Sequence, residues 1–128
     1  GQNVKLEKAY SDYFAKEGQK FQKANDIAKA AENFTKSSQV SNKQLKARGL
    51  LSLGTLYFNN GASILQKATP YATSEKEKYE AEKAKALADF KKAQDYLKQA
   101  ATVEPTNEAV KETQKQVADA IAPLVEKK

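Results

Sequence analysis

Cysteine, histidine, methionine and tryptophan are all absent from these 128 residues. Without histidine there is no imidazole for acid–base catalysis or metal ligation. Without cysteine there is no thiolate nucleophile, no disulfide and no thiolate-bound zinc. A cysteine-free chain suits an exported protein and a cytoplasmic one alike, so this absence does not decide the compartment. Glycine and proline number only five and three, against many Ala, Lys, Glu, Gln and Leu. That balance favours long helices. No run of ~18 apolar residues is present to cross a membrane as a helix, and no signal-peptide pattern is seen. The chain opens on Gly-Gln-Asn with no initiator Met. Gly1 therefore reads as a cloning remnant, and a removed targeting segment is left open.

What is there suits a single helical domain. A hydrophobic content of 40% beside 30% charged residues fits a globular or helical-repeat chain and not a disordered one. The net charge of +6 is unevenly placed. Residues 1–74 carry 11 basic and 5 acidic side chains, whereas residues 75–128 carry 11 of each. No acid occurs between Glu32 and Glu75, a span that holds Lys36, Lys43, Lys46, Arg48 and Lys67. This is either dispersed solvent charge or a positive surface for an acidic ligand.

Apolar spacing predicts five helices and no strand. The first runs from about Val4 to Ala24, with Leu6, Tyr10, Phe14 beside Tyr13, Gly18 and Phe21 at three- and four-residue steps. Asn25 or Asp26 caps the second, Ile27 to about Gln39, whose face is Ile27, Ala30, Ala31, Phe34 and Ser38. The third, about Lys43 to Thr69, is apolar nearly all round and so expects neighbours on several sides. Ser74 and Glu77 have the spacing of a capping box for the fourth helix, which runs to about Val103. Its stripe is Tyr79, Ala86, Leu87, Phe90, Ala93, Leu97 and Ala100. Thr106 or Asn107 caps the last helix, about 107–126, which has one narrow stripe of Val110, Val117, Ile121, Leu124 and Val125. Pro123 is expected to kink or end it.

Within the third helix, Leu50-x2-Leu53-Gly54-x2-Tyr57 places a costly helix-interior glycine between large apolar residues. Upstream, Phe14-x3-Gly18-x2-Phe21 has the same shape, with Glu17 in the Leu53 place. Ala30-x3-Phe34-x2-Ser37 follows the first, and Ala93-x3-Leu97-x2-Ala100-x4-Pro105 follows the second. Together these resemble the A- and B-helix signatures of tetratricopeptide repeats (TPR). The resemblance implies one repeat over about 11–44 and a second over about 47–107, with a capping helix over about 107–126. Gly18 to Ala30 is 12 residues but Gly54 to Ala93 is 39, so the second hairpin is extended by 27. The implied fold is all-α: a TPR-like right-handed superhelix of two helical hairpins, the second elongated, plus the capping helix. In such packing the glycine admits a close neighbour, so Gly54→Leu is expected to cost ~1–3 kcal/mol by overpacking. Gly49 and Gly61 match no repeat position and have no account at this level.

Function follows by elimination and by resemblance. Glu75, Glu77, Glu80 and Glu82 cluster but alternate with Lys76, Lys78 and Lys83, as on a solvated helix surface, and so suggest no acid–base site. No phosphate loop, nucleophile elbow or metal cluster is present, and no catalytic residue, cofactor or metal is expected. Nucleic-acid binding fits the basic charge poorly, since 21 of the 22 basic residues are Lys and base reading favours Arg. The TPR resemblance implies a concave groove for a protein or peptide partner, and the charge suits an acidic one. Carried over by position, groove places fall on Arg48, Leu51, Thr55, Phe58 and Asn59, and on Asp12, Ala15, Gln19, Gln22 and Lys23. The site expected is Gln19, Lys23, Arg48, Thr55, Phe58 and Asn59. The carboxylate-clamp subset is not matched, because Ala15, Gln19, Leu51 and Thr55 stand at its Lys and Asn places. Homo-oligomerisation through the Ala-rich stripes of the second and fourth helices is the structural alternative. Short Lys/Ala/Gln-rich, Cys-free TPR-like chains resemble exported bacterial proteins, which implies an exported or periplasmic location.

Overall fold

The computed structural model describes residues 2–125. Gly1 and the last residue of the expected capping helix, Glu126, lie outside that range. Among the described residues all regular structure is helical: α1 Gln2–Lys23, α2 Ile27–Ser38, α3 Lys43–Ala68, α4 Lys76–Val103 and α5 Glu108–Val125. A short 3-10 turn, Thr69–Tyr71, joins α3 to α4 and passes through Pro70.

The ends are set by local chemistry. Asn25 takes the left-handed conformation at φ 61, the position where helices commonly stop. The amide of Asp26 then bonds the Phe21 carbonyl at 2.9 Å, and that of Asn25 bonds the Gln22 carbonyl at 3.0 Å. The carboxylate of the same Asp26 accepts from the Lys29 amide and so starts α2. One residue thus closes one helix and opens the next. Asn42 caps α3 through the Leu45 amide, and Asn107 caps α5 through the Val110 amide. The capping box expected at Ser74 does not form. α4 begins one residue later, with Glu75 at the cap and no side-chain cap bond, and the Glu75 amide is instead held by the Tyr71 carbonyl at 2.9 Å. Pro123 does not end α5, which continues to Val125.

Packing runs helix to neighbouring helix: α1 on α2, α2 on α3, α3 on α4 and α4 on α5. One buried cluster joins Ala30 and Phe34 to Leu50, Leu53, Leu56, Ala100 and Val110. A second joins Ala86, Phe90, Ala93 and Leu97 to Val117. α3 touches both, which is why its apolar residues wrap its circumference.

Close approach explains the helix glycines. A Cβ built on Gly18 would lie 2.5 Å from the Phe34 ring, and one on Gly54 would lie 2.7 Å from Leu97 Cγ. The two glycines that share a sequence pattern therefore meet the two side chains that share one. Gly61 would put its Cβ 2.8 Å from the Phe90 ring and 3.0 Å from the Ala86 carbonyl. Gly61 and Phe90 stand seven residues from Gly54 and Leu97 in opposite directions, so the extended hairpin repeats its own contact two turns further out. The same step places Ala47 and Ala68 on α3, and Ala86, Ala93 and Ala100 on α4, all buried. Gly49 faces the other way, with its would-be Cβ 2.7 Å from the backbone of Ser38.

Two sequence expectations change here. The alanine stripe of α4, and Ala30 on α2, are buried inside the chain and are not offered to a second copy. On α1, Leu6, Tyr10 and Tyr13 were expected to pack, yet they are 67%, 42% and 59% exposed. Phe21 and Gly18 do meet α2, but no element of the described residues stands in front of the outer side of α1.

Candidate functional site

The inner sides of α1 and α3 meet along a seam. One open cavity of ≈ 240 Å³ on it is lined by Asp12, Ala15, Lys16 and Gln19 from α1 and by Arg48 and Ser52 from α3. A second, of ≈ 110 Å³, is lined by Gln22, Asn25, Ile27, Leu56, Asn59, Asn60 and Ser63. Helical geometry brings these residues together. Arg48, Ser52, Asn59 and Ser63 recur along one side of α3 at four- and seven-residue steps, and Asp12, Lys16, Gln19 and Lys23 recur along α1 at four- and three-residue steps.

The seam is tied by polar bonds at one end. Arg48 Nη1 lies 2.7 Å from Asp12 Oδ1, and Arg48 Nη2 donates to Ser11 Oγ at 2.8 Å. Ser11 and Ser37 are buried and exchange bonds, each hydroxyl donating to the other residue's carbonyl at 2.8 Å. The Arg48 Nε is buried with no partner. This knot holds α1, α2 and α3 in one arrangement, and it engages the only arginine of the chain. Next to it, Glu7 Oε1 accepts from the Asn42 amide at 3.0 Å, and Glu7 Oε2 accepts from the Ser41 amide at 3.1 Å and from the Ser41 hydroxyl.

Both carboxylates are held below their ordinary range. The Ser41 hydroxyl and the Ser41 and Asn42 amides lower Glu7. The bonds from Lys8 and Arg48 lower Asp12. A carboxylate with a depressed folded-state pKa contributes stability that is present above its unfolded pKa and is lost as pH falls through the folded one. Ordinary values are 4.5 for Glu7 and 3.8 for Asp12, so the loss belongs below these. Thermal melts between neutral pH and acid should therefore fall less steeply for Glu7→Gln than for the wild type below that range. Parallel curves would mean that the Glu7 carboxylate is not the source. Elsewhere, burial and then the nearby Asp89 push the Tyr57 phenol upward.

The six expected site residues separate. Gln19 and Arg48 line the larger cavity and Asn59 the smaller. Lys23 is exposed at the last position of α1 and lines neither. Thr55 is half-buried and lines neither. Phe58 packs tilted on Phe90, centroids 5.6 Å apart, beside the second buried cluster. Leu51, also named as a groove place, packs against both clusters. Lys16, Ser52, Asn60 and Ser63 line the seam without having been expected. The helical step from Arg48 and Asn59 was the signal that could have found Ser52 and Ser63. The acidic cluster at the start of α4 is surface, with Glu80 and Glu82 paired to Lys83 and Lys85. No group of three potential metal ligands occurs among the described residues, and no described helix is long and apolar enough to cross a membrane.

Helices that stack side by side through a recurring small-residue contact, each hairpin reusing the same pattern, define a helical-repeat protein. No family model and no curated protein matches the chain. A solved structure does: the crystal structure of a TPR repeats protein from Bacteroides fragilis NCTC 9343 superposes with a TM-score of 0.90 at 52% sequence identity. The match covers 92% of this chain and 53% of that one, so the chain spans about half the length of its structural relative. The chain is thus a TPR-like, all-α repeat protein.

Proposed function

We propose that the α1–α3 seam is a non-catalytic binding groove for an extended segment of a partner protein. The observation that carries this reading is a set of side-chain amides facing the seam from both helices. Gln19 and Gln22 come from α1 and Asn59 from α3, and none forms a side-chain hydrogen bond among the described residues. An amide presents both donors and an acceptor, which is what the backbone of an extended peptide needs. The surrounding charge supports a neutral or acidic segment: Asp12 is already neutralised by Lys8 and Arg48, and Lys16 is left over. The repeat fold supports a scaffolding role.

Arg48 is a poor choice for testing this, because it ties three helices together. Gln19→Ala/Asn59→Ala changes only exposed amides and should leave the melting temperature unchanged. Peptides selected by display on the immobilised full chain are expected to bind the double variant about tenfold more weakly, the size of effect a contact residue usually gives. Selected peptides that bind both proteins equally would remove the seam as the site.

A further inference from the structure

The outer side of α1 carries a second surface, on the opposite flank of that helix from the seam. Five large hydrophobic residues are strongly exposed among the described residues, and four of them, Val4, Leu6, Tyr10 and Tyr13, lie on the first turns of α1. Leu6, Tyr10 and Tyr13 follow at steps of four and three, so they form one strip with the exposed Ala9 between them. The strip is shaped. Tyr10 and Tyr13 each meet Phe14 edge-on, at 4.8 and 5.0 Å between centroids, which fixes the rings. A shallow cavity of ≈ 250 Å³ opens beside it, lined by Leu6, Glu7, Tyr10, Gln39 and Val40. The far end of the array differs: α5 exposes Lys111, Glu112, Lys115, Gln116 and Asp119. The exposed side of α5 is polar, whereas that of the first turns of α1 carries Leu6, Tyr10 and Tyr13.

Charge decides what would cover the strip. Leu6, Ala9, Tyr10 and Tyr13 carry none, in a chain with 30% charged residues. Its borders are cationic. Lys20 follows on the next turns of α1, exposed and without an ion pair among the described residues, while Lys16 lies between the strip and the seam and lines the latter. Lys36 of α2 stands over the Phe14 ring at 5.2 Å. Three acids lie nearby: Glu7, whose carboxylate is taken up by the Ser41 and Asn42 amides, Glu17 one turn past Tyr13, and Glu32, 3.8 Å from Lys36. The half of the chain that bears the strip still has 11 basic against 5 acidic side chains. A second copy would bring lysines onto lysines. The strip carries no arginine to stack on bases beside the tyrosines. Leu6 to Tyr13 spans ~10 Å of helix, the length of about two turns laid alongside.

We propose that this strip docks an acidic amphipathic helix from a partner, with an apolar face on Leu6, Tyr10 and Tyr13 and Asp or Glu flanks on Lys20 and Lys36. The probe is a fluorescein-labelled synthetic helix of about 18 residues, with Leu on one face and Glu beside it, titrated with the full chain by anisotropy. Its partner probe replaces each Glu by Lys. The acidic helix should bind the wild type about tenfold more tightly than the basic one, and should weaken several-fold between about 50 and 300 mM salt. Leu6→Gln/Tyr13→Gln and Lys20→Glu/Lys36→Glu, whose melts check folding, should each lose about tenfold. Gln19→Ala/Asn59→Ala should bind it as the wild type does, which separates this surface from the seam. The proposal is overturned if the two probes bind alike or if the strip variants keep full affinity. It is equally overturned by a wild-type dimer that Leu6→Gln/Tyr13→Gln dissolves, or by oligo(dT) binding more tightly than the acidic helix.

Discussion

Phe90→Ala is expected to remove about 3–5 kcal/mol of stability, the usual cost of emptying a buried aromatic site. Phe90 is 1% exposed at the centre of the second cluster, and Phe58 leans on its ring. Gly61 should answer to it. Gly61→Ala alone adds a Cβ within 2.9 Å of two Phe90 ring carbons, and overpacking of this kind costs ~1–3 kcal/mol against the ~1 kcal/mol that alanine gains as a helix former. In the double variant that clash is gone, because the ring is gone. Chemical denaturation of the four proteins of this cycle should show a coupling of about 0.5–3 kcal/mol, with the double variant more stable than the two losses added. Additive losses would show that Gly61 and Phe90 do not share space.

Gly49→Leu should be worse than a comparable change at Gly54. At Gly54 the obstruction is the Cγ and Cδ2 of the Leu97 side chain, which can shift in part. At Gly49 it is the N and Cα of Ser38, which cannot. Ser38 is itself anchored, its hydroxyl donating to the Thr35 carbonyl at 2.7 Å and its carbonyl accepting from Lys46. The end of α2 would have to leave α3. A loss of ~3 kcal/mol or more is expected, beyond the common overpacking range, and a fall in Tm on the order of 10 °C. Gly49→Ala should fall in the same direction by less, although alanine is intrinsically the better helix former. A melt in which Gly49→Ala is more stable than the wild type would remove the close approach of α2 and α3.

Much of the fold was written in local pattern, and what was missed has a common cause. The five helices and the Asp26 and Asn107 caps rest on residues within a few turns of one another, and the Gly54 approach, though made to α4, could be named from its place in the repeat pattern. Gly49 and Gly61 could not be explained from the chain alone because what they admit, Ser38 and Phe90, comes from another helix. The Ser11–Ser37–Arg48 knot was hidden for the same reason, its members lying 26 and 37 residues apart. At the seam, Gln19, Arg48 and Asn59 could be named by repeat position. Phe58 and Leu51 could not be told from core by position, because α4 and α5 stand where they point. The open side of α1 was misread outright. Periodicity marks an apolar face, but it does not say whether a neighbour exists to cover it.

The contact that recurs along the long hairpin has a consequence for how such a protein changes size. Gly54 faces Ala93 and Leu97, and Gly61 faces Ala86 and Phe90, so each pair is reached from the last by moving seven residues on both helices. Adding or deleting seven residues in α3 and seven in α4 lengthens or shortens the arm by ~10 Å while every small residue still finds its large partner. A number far from a whole count of helical turns rotates a glycine out of the contact and a side chain into its place. The reach of the hairpin is therefore quantised, and evolution or design can set how far it projects only in whole steps.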